Sequence, residues 1–359
     1  MPRYRRKRKL VQRFYAERYL LIVLLGFSAS VTLTRFFLEL TGYPQLGNSE
    51  LHITHVLWGG LALFLGSLMP LIFVNKRAFD LSAILSGIGV GLFIDEVGKF
   101  VTQSNDYFFP AAAPIVYLFF LIMLLVYVIV KKERNLDERA RLFQVMEQFE
   151  EVLEVDLSIM EYKNIKDQLS SFIGGGEKEI TSRLANDLIV ILDNEKDHLV
   201  AHEPDFLEKL WNRWLKFEEK IFFDREIKKG LIYSWLLLGI YSVLHSISTY
   251  LVANGDGQGI RAFVELFKNF QISSQRISPT GWIRIGGEYF LGACLLISAI
   301  LAMLKRYRFA LDLAFYSLVV MLILINVFVF YYDQFSVILL TIIQFLVFFI
   351  TARYRNQSS

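Results

Sequence analysis

Gly87-Ile-Gly-Val-Gly-Leu-Phe-Ile-Asp-Glu-Val-Gly-Lys-Phe-Val-Thr-Gln-Ser-Asn-Asp106 sets two carboxylates and a lysine into an apolar run long enough to cross a bilayer. At 100° per residue, Gly87, Gly91, Asp95, Gly98, Lys99 and Thr102 fall on one helical face. A charge held in hydrocarbon costs about 2.5–3.5 kcal/mol even on the most lenient scale, so it faces a partner or a water-filled cavity. Asp95, Glu96 and Lys99 thus mark the place around which the molecule is organised. Gly87 and Gly91, four residues apart, form a small-xxx-small surface on which a second helix can pack closely. The glycine pattern is no phosphate loop, because it lacks the strand and the lysine-serine pair of such a loop.

The surrounding chain has the same character. Of its 359 residues, 54% are hydrophobic, above the 45–50% usual for soluble domains. Eight apolar runs are of spanning length, at 19–40, 51–74, 81–103, 111–130, 231–252, 286–303, 309–330 and 335–352. They predict an all-α polytopic integral membrane protein with eight transmembrane helices. The organisation read from them is a basic N-terminus (1–18), a four-helix membrane half (19–130), a polar helical insert (131–229), a second four-helix half (230–352) and a short tail (353–359).

Charge sets the expected orientation. Arg3, Arg5, Arg6, Lys7, Arg8, Lys9 and Arg13 precede the first run, and Lys or Arg flanks every second connection after it. The alternate connections at 41–50, 104–110 and 331–334 hold no lysine or arginine. By the positive-inside rule, both termini and the insert lie in the cytoplasm of a cell-membrane protein. The basic N-terminus then suits anionic lipids rather than nucleic acid. The apolar run after it continues to Leu40, so it reads as a span and not as a cleaved signal. The outer connection 253–283 does carry Arg261, Lys268 and Arg276. Its Ile260, Phe263, Val264, Phe267 and Phe270 recur at helical spacing, which predicts a helix lying on the outer surface. Cys294 is the single cysteine, so neither an intrachain disulfide nor a four-cysteine zinc site can form.

The insert reads as helices at 136–153, 158–171, 177–192 and 204–227. His198 and His202 within it read as solvated.

With that topology, ionisable groups from five spans reach one outward-facing level. They are Arg35 and Glu39, His52 and His55, Asp95, Glu96 and Lys99 with Asn105 and Asp106 just beyond, His245 beside Tyr241, and Arg284 with Glu288. Three roles fit such a pocket. His52, His55 and His245 with Asp95 or Glu96 could hold a divalent metal such as zinc and activate a water. Paired carboxylates and histidines in a membrane can relay protons or bind cations. Third, Asp95 with Lys99, Arg35 with Glu39 and Arg284 with Glu288 could neutralise one another at i,i+4 spacing, leaving Glu96 as the unpaired member.

The run His52-x-x-His55-x-x-Trp58-Gly-Gly, followed by Gly91-Leu-Phe-Ile-Asp-Glu-x-Gly-Lys-Phe100 and Asn105-Asp-Tyr-Phe108-x-Pro110-Ala, resembles a family of uncharacterised bacterial polytopic membrane proteins over the first four spans. That resemblance carries no activity with it. More distantly the chain resembles membrane hydrolases that gather histidines and an aspartate around zinc. Those have a histidine pair late in the chain, where only His245 stands here. The expected function is transport or sensing of a cation, a proton or a small polar solute. The alternatives are a metal-dependent membrane hydrolase and a non-catalytic membrane assembly factor. Expected partners are the bilayer and a small ion or solute.

Overall fold

The computed structural model describes residues 10–42, 55–104, 106, 109–132, 136–153, 157–173, 179–194, 196, 199, 225–253 and 278–358. His52, Asn105, His198, His202, most of the 204–227 helix and the expected surface helix at 260–270 lie outside these residues. Among the described residues all regular structure is helical, and the architecture is an all-α polytopic membrane protein.

Six helices have the length and hydropathy of single spans: α1 (Ala16–Thr41), α2 (His55–Ile72), α3 (Lys76–Asp95), α5 (Ala112–Lys131), α10 (Arg225–Ala253) and α11 (Pro279–Met303). The short α4 (Val97–Val101) follows α3. A seventh apolar stretch, Tyr307–Arg355, has 49 residues. As one helix it would measure about 70 Å, more than twice the bilayer's hydrocarbon thickness. It folds back instead. α12 (Tyr307–Val320), a π-helical turn (Met321–Ile325) and α13 (Asn326–Asp333) run one way; a 3₁₀ turn (Gln334–Val337) leads into α14 (Ile338–Ser358), which packs back on α12. Arg355 Nε reaches Asp312 Oδ1 at 2.6 Å, and Asn326 Nδ2 donates to Gln344 Oε1 at 2.7 Å. Both pairs straddle Gln334 nearly evenly, as in a hairpin. The stretch therefore holds two crossings, the two read from 309–330 and 335–352.

The chain packs as two compact units. The first comprises Met1–Gly26, Ala62–Gly87 and Met123–Trp214. Its insert helices are α6 (Glu138–Gln148), α7 (Glu150–Leu153), α8 (Ile159–Ser170) and α9 (Glu179–Asn194). Asp137 caps α6 by accepting from Ala140 N, and Ser158 with Glu161 forms a capping box on α8. Val145, Leu157, Ile165, Leu169, Phe172, Ala185 and Leu192 close a core among these helices. The insert also grips its neighbours. Glu147 accepts from Phe14 N and pairs with Arg13 at 2.7 Å, while Gln144 Nε2 donates to Gln12 O. Glu150 Oε1 takes Lys76 N at 2.6 Å, placing a carboxylate on the positive end of α3. In this unit a Cβ on Gly87 would lie 2.5 Å from the Val23 carbonyl, so α3 meets α1 backbone to backbone.

The second unit comprises Phe27–Leu61, Ile88–Ile122 and Leu215–Ser359. Gly239 and Gly292 bring α10 and α11 together, each lying where a Cβ would crowd the other's carbonyl. Leu295, Ala299, Ala310, Ala314 and Leu318 fill the core beside them. Tyr117 OH donates to the Leu322 carbonyl at 2.6 Å, inside the π-helical turn. Gly91 packs on α1, where Ser30 Oγ donates to Ile88 O at 3.1 Å. On another side of α3, a Cβ on Gly59 would lie 2.9 Å from the Gly89 carbonyl, so Gly89 is buried in its own right.

Candidate functional site: two buried charge chains

The 81–103 run is not one helix. α3 stops at Asp95, Glu96 takes φ −90° and ψ 10°, and α4 resumes at Val97. In a continuous helix the Asp95 carbonyl would accept from Lys99 N. Here Lys99 N turns to Glu96 O at 3.0 Å, and the opened Asp95 carbonyl takes Arg35 Nη2 at 3.0 Å. Arg35 Nε meets Asp95 Oδ1 at 2.5 Å. The guanidinium thus holds Asp95 by side chain and main chain at once, a geometry that suits a planar fork of donors.

The remaining carboxylate oxygens extend the contact. His55, in the first turn of α2, puts Nε2 3.1 Å from Asp95 Oδ2 and Nδ1 3.0 Å from Glu96 Oε1. Lys99 Nζ lies 3.0 Å from Glu96 Oε2. The result is a chain in which basic and acidic groups alternate: Arg35, Asp95, His55, Glu96, Lys99. A carboxylate only accepts, so satisfying both imidazole contacts needs two ring protons, or a carboxyl proton facing one ring nitrogen. Asp95 and Glu96 are 0% and 2% exposed, whereas the side chains of His55 and Lys99 are 22% and 23% exposed. The chain therefore opens to its surroundings at its imidazole and its ammonium.

A second chain is built from the later spans. His245 Nδ1 lies 3.2 Å from Glu288 Oε2, and Arg284 Nε lies 3.7 Å from the same oxygen. Arg284 Nη2 pairs with Asp333 Oδ2. Tyr241 stacks on the His245 ring with centroids 5.6 Å apart, and Tyr332 lies under the Arg284 guanidinium. The two chains approach one short turn, because Arg35 sits 3.6 Å from the centroid of the Phe335 ring, two residues after Asp333.

Of the residues expected in a pocket, Arg35, His55, Asp95, Glu96 and Lys99 come together, and His245 with Glu288 forms the other group. Several expected pairings differ. The neutraliser of Asp95 is Arg35, reached across helices, while Glu39 is exposed on α1. Glu96 is not the unpaired member, since Lys99 and His55 occupy its two oxygens. Asp106 is exposed, with its N–H donated to Thr102 Oγ1. His55 and His245 sit on different carboxylates, and among the described residues no group of three His, Cys, Asp or Glu is arranged to hold a metal ion. Asp333 and Phe335 were not expected. A carboxylate in a four-residue connection and an aromatic beginning an apolar run carry no signal of their own.

Comparison of the chain with protein-family models, with curated proteins and with solved structures returns no match.

Proposed function

We propose that this membrane protein is a proton-responsive sensor or proton-coupled transporter whose working site is the Arg35, Asp95, His55, Glu96, Lys99 chain. The observation that carries the reading is the His55 imidazole bridging two buried carboxylates by both ring nitrogens. Histidine is the side chain whose ordinary titration falls nearest neutral pH. Here a single proton decides between two arrangements of one hydrogen-bonded chain. The helix interruption at Glu96 adds support, because broken spanning helices recur where transporters bind ions. The same bridging speaks for a proton over a metal ion, since His55 spends both nitrogens on carboxylates that Arg35 and Lys99 already neutralise. By the lysine and arginine distribution, the open end of the chain faces away from the cytoplasm.

The test uses full-length protein in liposomes with a trapped pH-sensitive dye, alongside tryptophan fluorescence followed against pH. Wild type should show proton flux, or a conformational transition in the range where histidines titrate. His55→Gln and Glu96→Gln should each abolish or displace it while the protein remains folded. Superimposable profiles for wild type and both variants would remove the proposal.

A further inference from the structure

Gln334 adopts φ 51° and ψ −135°, a backbone region that otherwise belongs to glycine in tight turns. A glutamine held there is strained and requires surroundings that impose it. Those surroundings include two guanidinium groups. On one flank Asp333 is paired with Arg284, whose other side faces the Tyr332 ring. On the other flank the Phe335 ring lies under Arg35, the residue that grips Asp95 by two contacts. Both arginines are buried, at 6% exposure for Arg35 and 4% for Arg284. A buried guanidinium keeps its place only while its partners keep theirs, because it cannot fall back on water.

We infer that Phe335 is a positioning residue for both charge chains, and that the Asp333-Gln334-Phe335 turn ties the arrangement of one chain to that of the other. Arg35 has an anionic partner above and an aromatic face below. Displacing the ring loosens its hold on Asp95 and, through Asp95, on His55. The same displacement lets Gln334 relax and shifts Asp333, the partner of Arg284, whose Nε lies 3.7 Å from Glu288, the carboxylate that meets His245. The coupling is mechanical and stands or falls separately from the proton reading.

Hydrogen exchange on the full-length protein in nanodiscs, at one fixed pH, tests it. Phe335→Leu keeps the apolar volume but removes the aromatic face. It should speed exchange about fivefold, the scale of one cation–π contact, in both the Glu96–Val101 and the Ile283–Glu288 segments. Phe335→Tyr restores the face and should restore slow exchange in both. Asp333→Asn starts from the other flank and should reach the Glu96–Val101 segment as well. Leu318→Ala, a core truncation touching neither arginine, controls for general loosening and should not reproduce the paired change. Faster exchange in only one segment, a Tyr variant that behaves like Leu, or a Leu318→Ala pattern equal to Phe335→Leu would each overturn the inference. Because the trigger is a side chain and not a pH change, failure here leaves the proton reading to be judged by its own experiment.

Discussion

The two charge chains use the same residue types, but they close differently. In the Arg35, Asp95, His55, Glu96, Lys99 chain all four carboxylate oxygens have a named partner within 3.1 Å. It begins and ends on a cation. The His245, Glu288, Arg284, Asp333 chain ends on a carboxylate, and its central contact is slack. Arg284 Nε is buried without a hydrogen bond, 3.7 Å from the nearest Glu288 oxygen. The first is built where a helix breaks and the Asp95 carbonyl turns to Arg35; the second spans an intact turn of α11 and a strained hairpin end. A broken helix thus permits a tighter polar site than an intact one, because it contributes main-chain groups as well as side chains.

If that contrast is sound, the largest effect belongs to Asp95→Asn, which leaves Arg35 buried without its counter-charge. The expected loss is about 3–5 kcal/mol, seen as a lower thermal midpoint in lipid nanodiscs. Glu288→Gln should lose less, about 1–3 kcal/mol, because Asp333 still neutralises Arg284. Equal losses would break the contrast. Combining Asp95→Asn with Arg35→Leu should recover most of the first loss, since it removes the stranded cation.

A middle-sized effect is expected from the glycine that lets α3 reach α1. A Cβ on Gly91 would lie 2.8 Å from Ser30 Oγ and 3.0 Å from the Phe27 carbonyl, whereas one on Gly286 meets nothing within 4 Å. Gly91→Ala should therefore destabilise by about 1–3 kcal/mol and lengthen the Arg35–Asp95 contact. Gly286→Ala should be neutral or a gain of a few tenths of a kcal/mol. If the two melt alike, the close approach of α1 and α3 does not support the first chain.

The smallest effect sharpens the contrast from outside both chains. In the insert, hydrogen bonds from Lys166 and then Tyr162 hold the Asp193 carboxyl well below the usual carboxylate range. A carboxyl lowered in the folded state stabilises at pH values above its unfolded value, and the stabilisation fades as the solution is acidified below about pH 4. Asp193 is solvent-facing, so Asp193→Asn should alter exchange in α8 and α9 only slightly at neutral pH. The small difference should vanish on acidification. A loss rivalling that of Asp95→Asn would mean that burial is not what separates these ion pairs.

What could be read from the sequence follows the range of the interactions. Apolar run length decides whether a segment can span, so the crossings were legible, including the two inside Tyr307–Arg355. Helix signals are equally local, and the insert helices expected at 136–153, 158–171 and 177–192 fall near α6 to α9, while most of the one expected at 204–227 lies outside the described residues. The pair Arg284–Glu288 was also legible, because four residues on one helix fix its geometry. Arg35 shows where this fails. A carboxylate stands four residues away at Glu39, yet the partner is Asp95, 60 residues on. Spacing along one helix cannot say which face meets another helix. The break at Glu96 was hidden for a related reason. Val97, Gly98, Lys99 and Phe100 continue a helical pattern, and the Asp95 carbonyl at the interruption is met by the Arg35 side chain that arrives from α1. Gln334 carried no sign of its left-handed backbone, since glutamine rarely adopts it.

The contacts around Gln12 and Phe14 set a timetable. The chain is made from its N-terminus, but the Phe14 amide is satisfied by Glu147, 133 residues later, and the Gln12 carbonyl by Gln144. The start of α3 likewise relies on Glu150, 74 residues beyond Lys76. Neither can be fastened until α1, α2, α3 and α5 have all been synthesised and α6 has emerged. The first spans enter the bilayer as provisional members, and α6 and α7 act afterwards as the clasp.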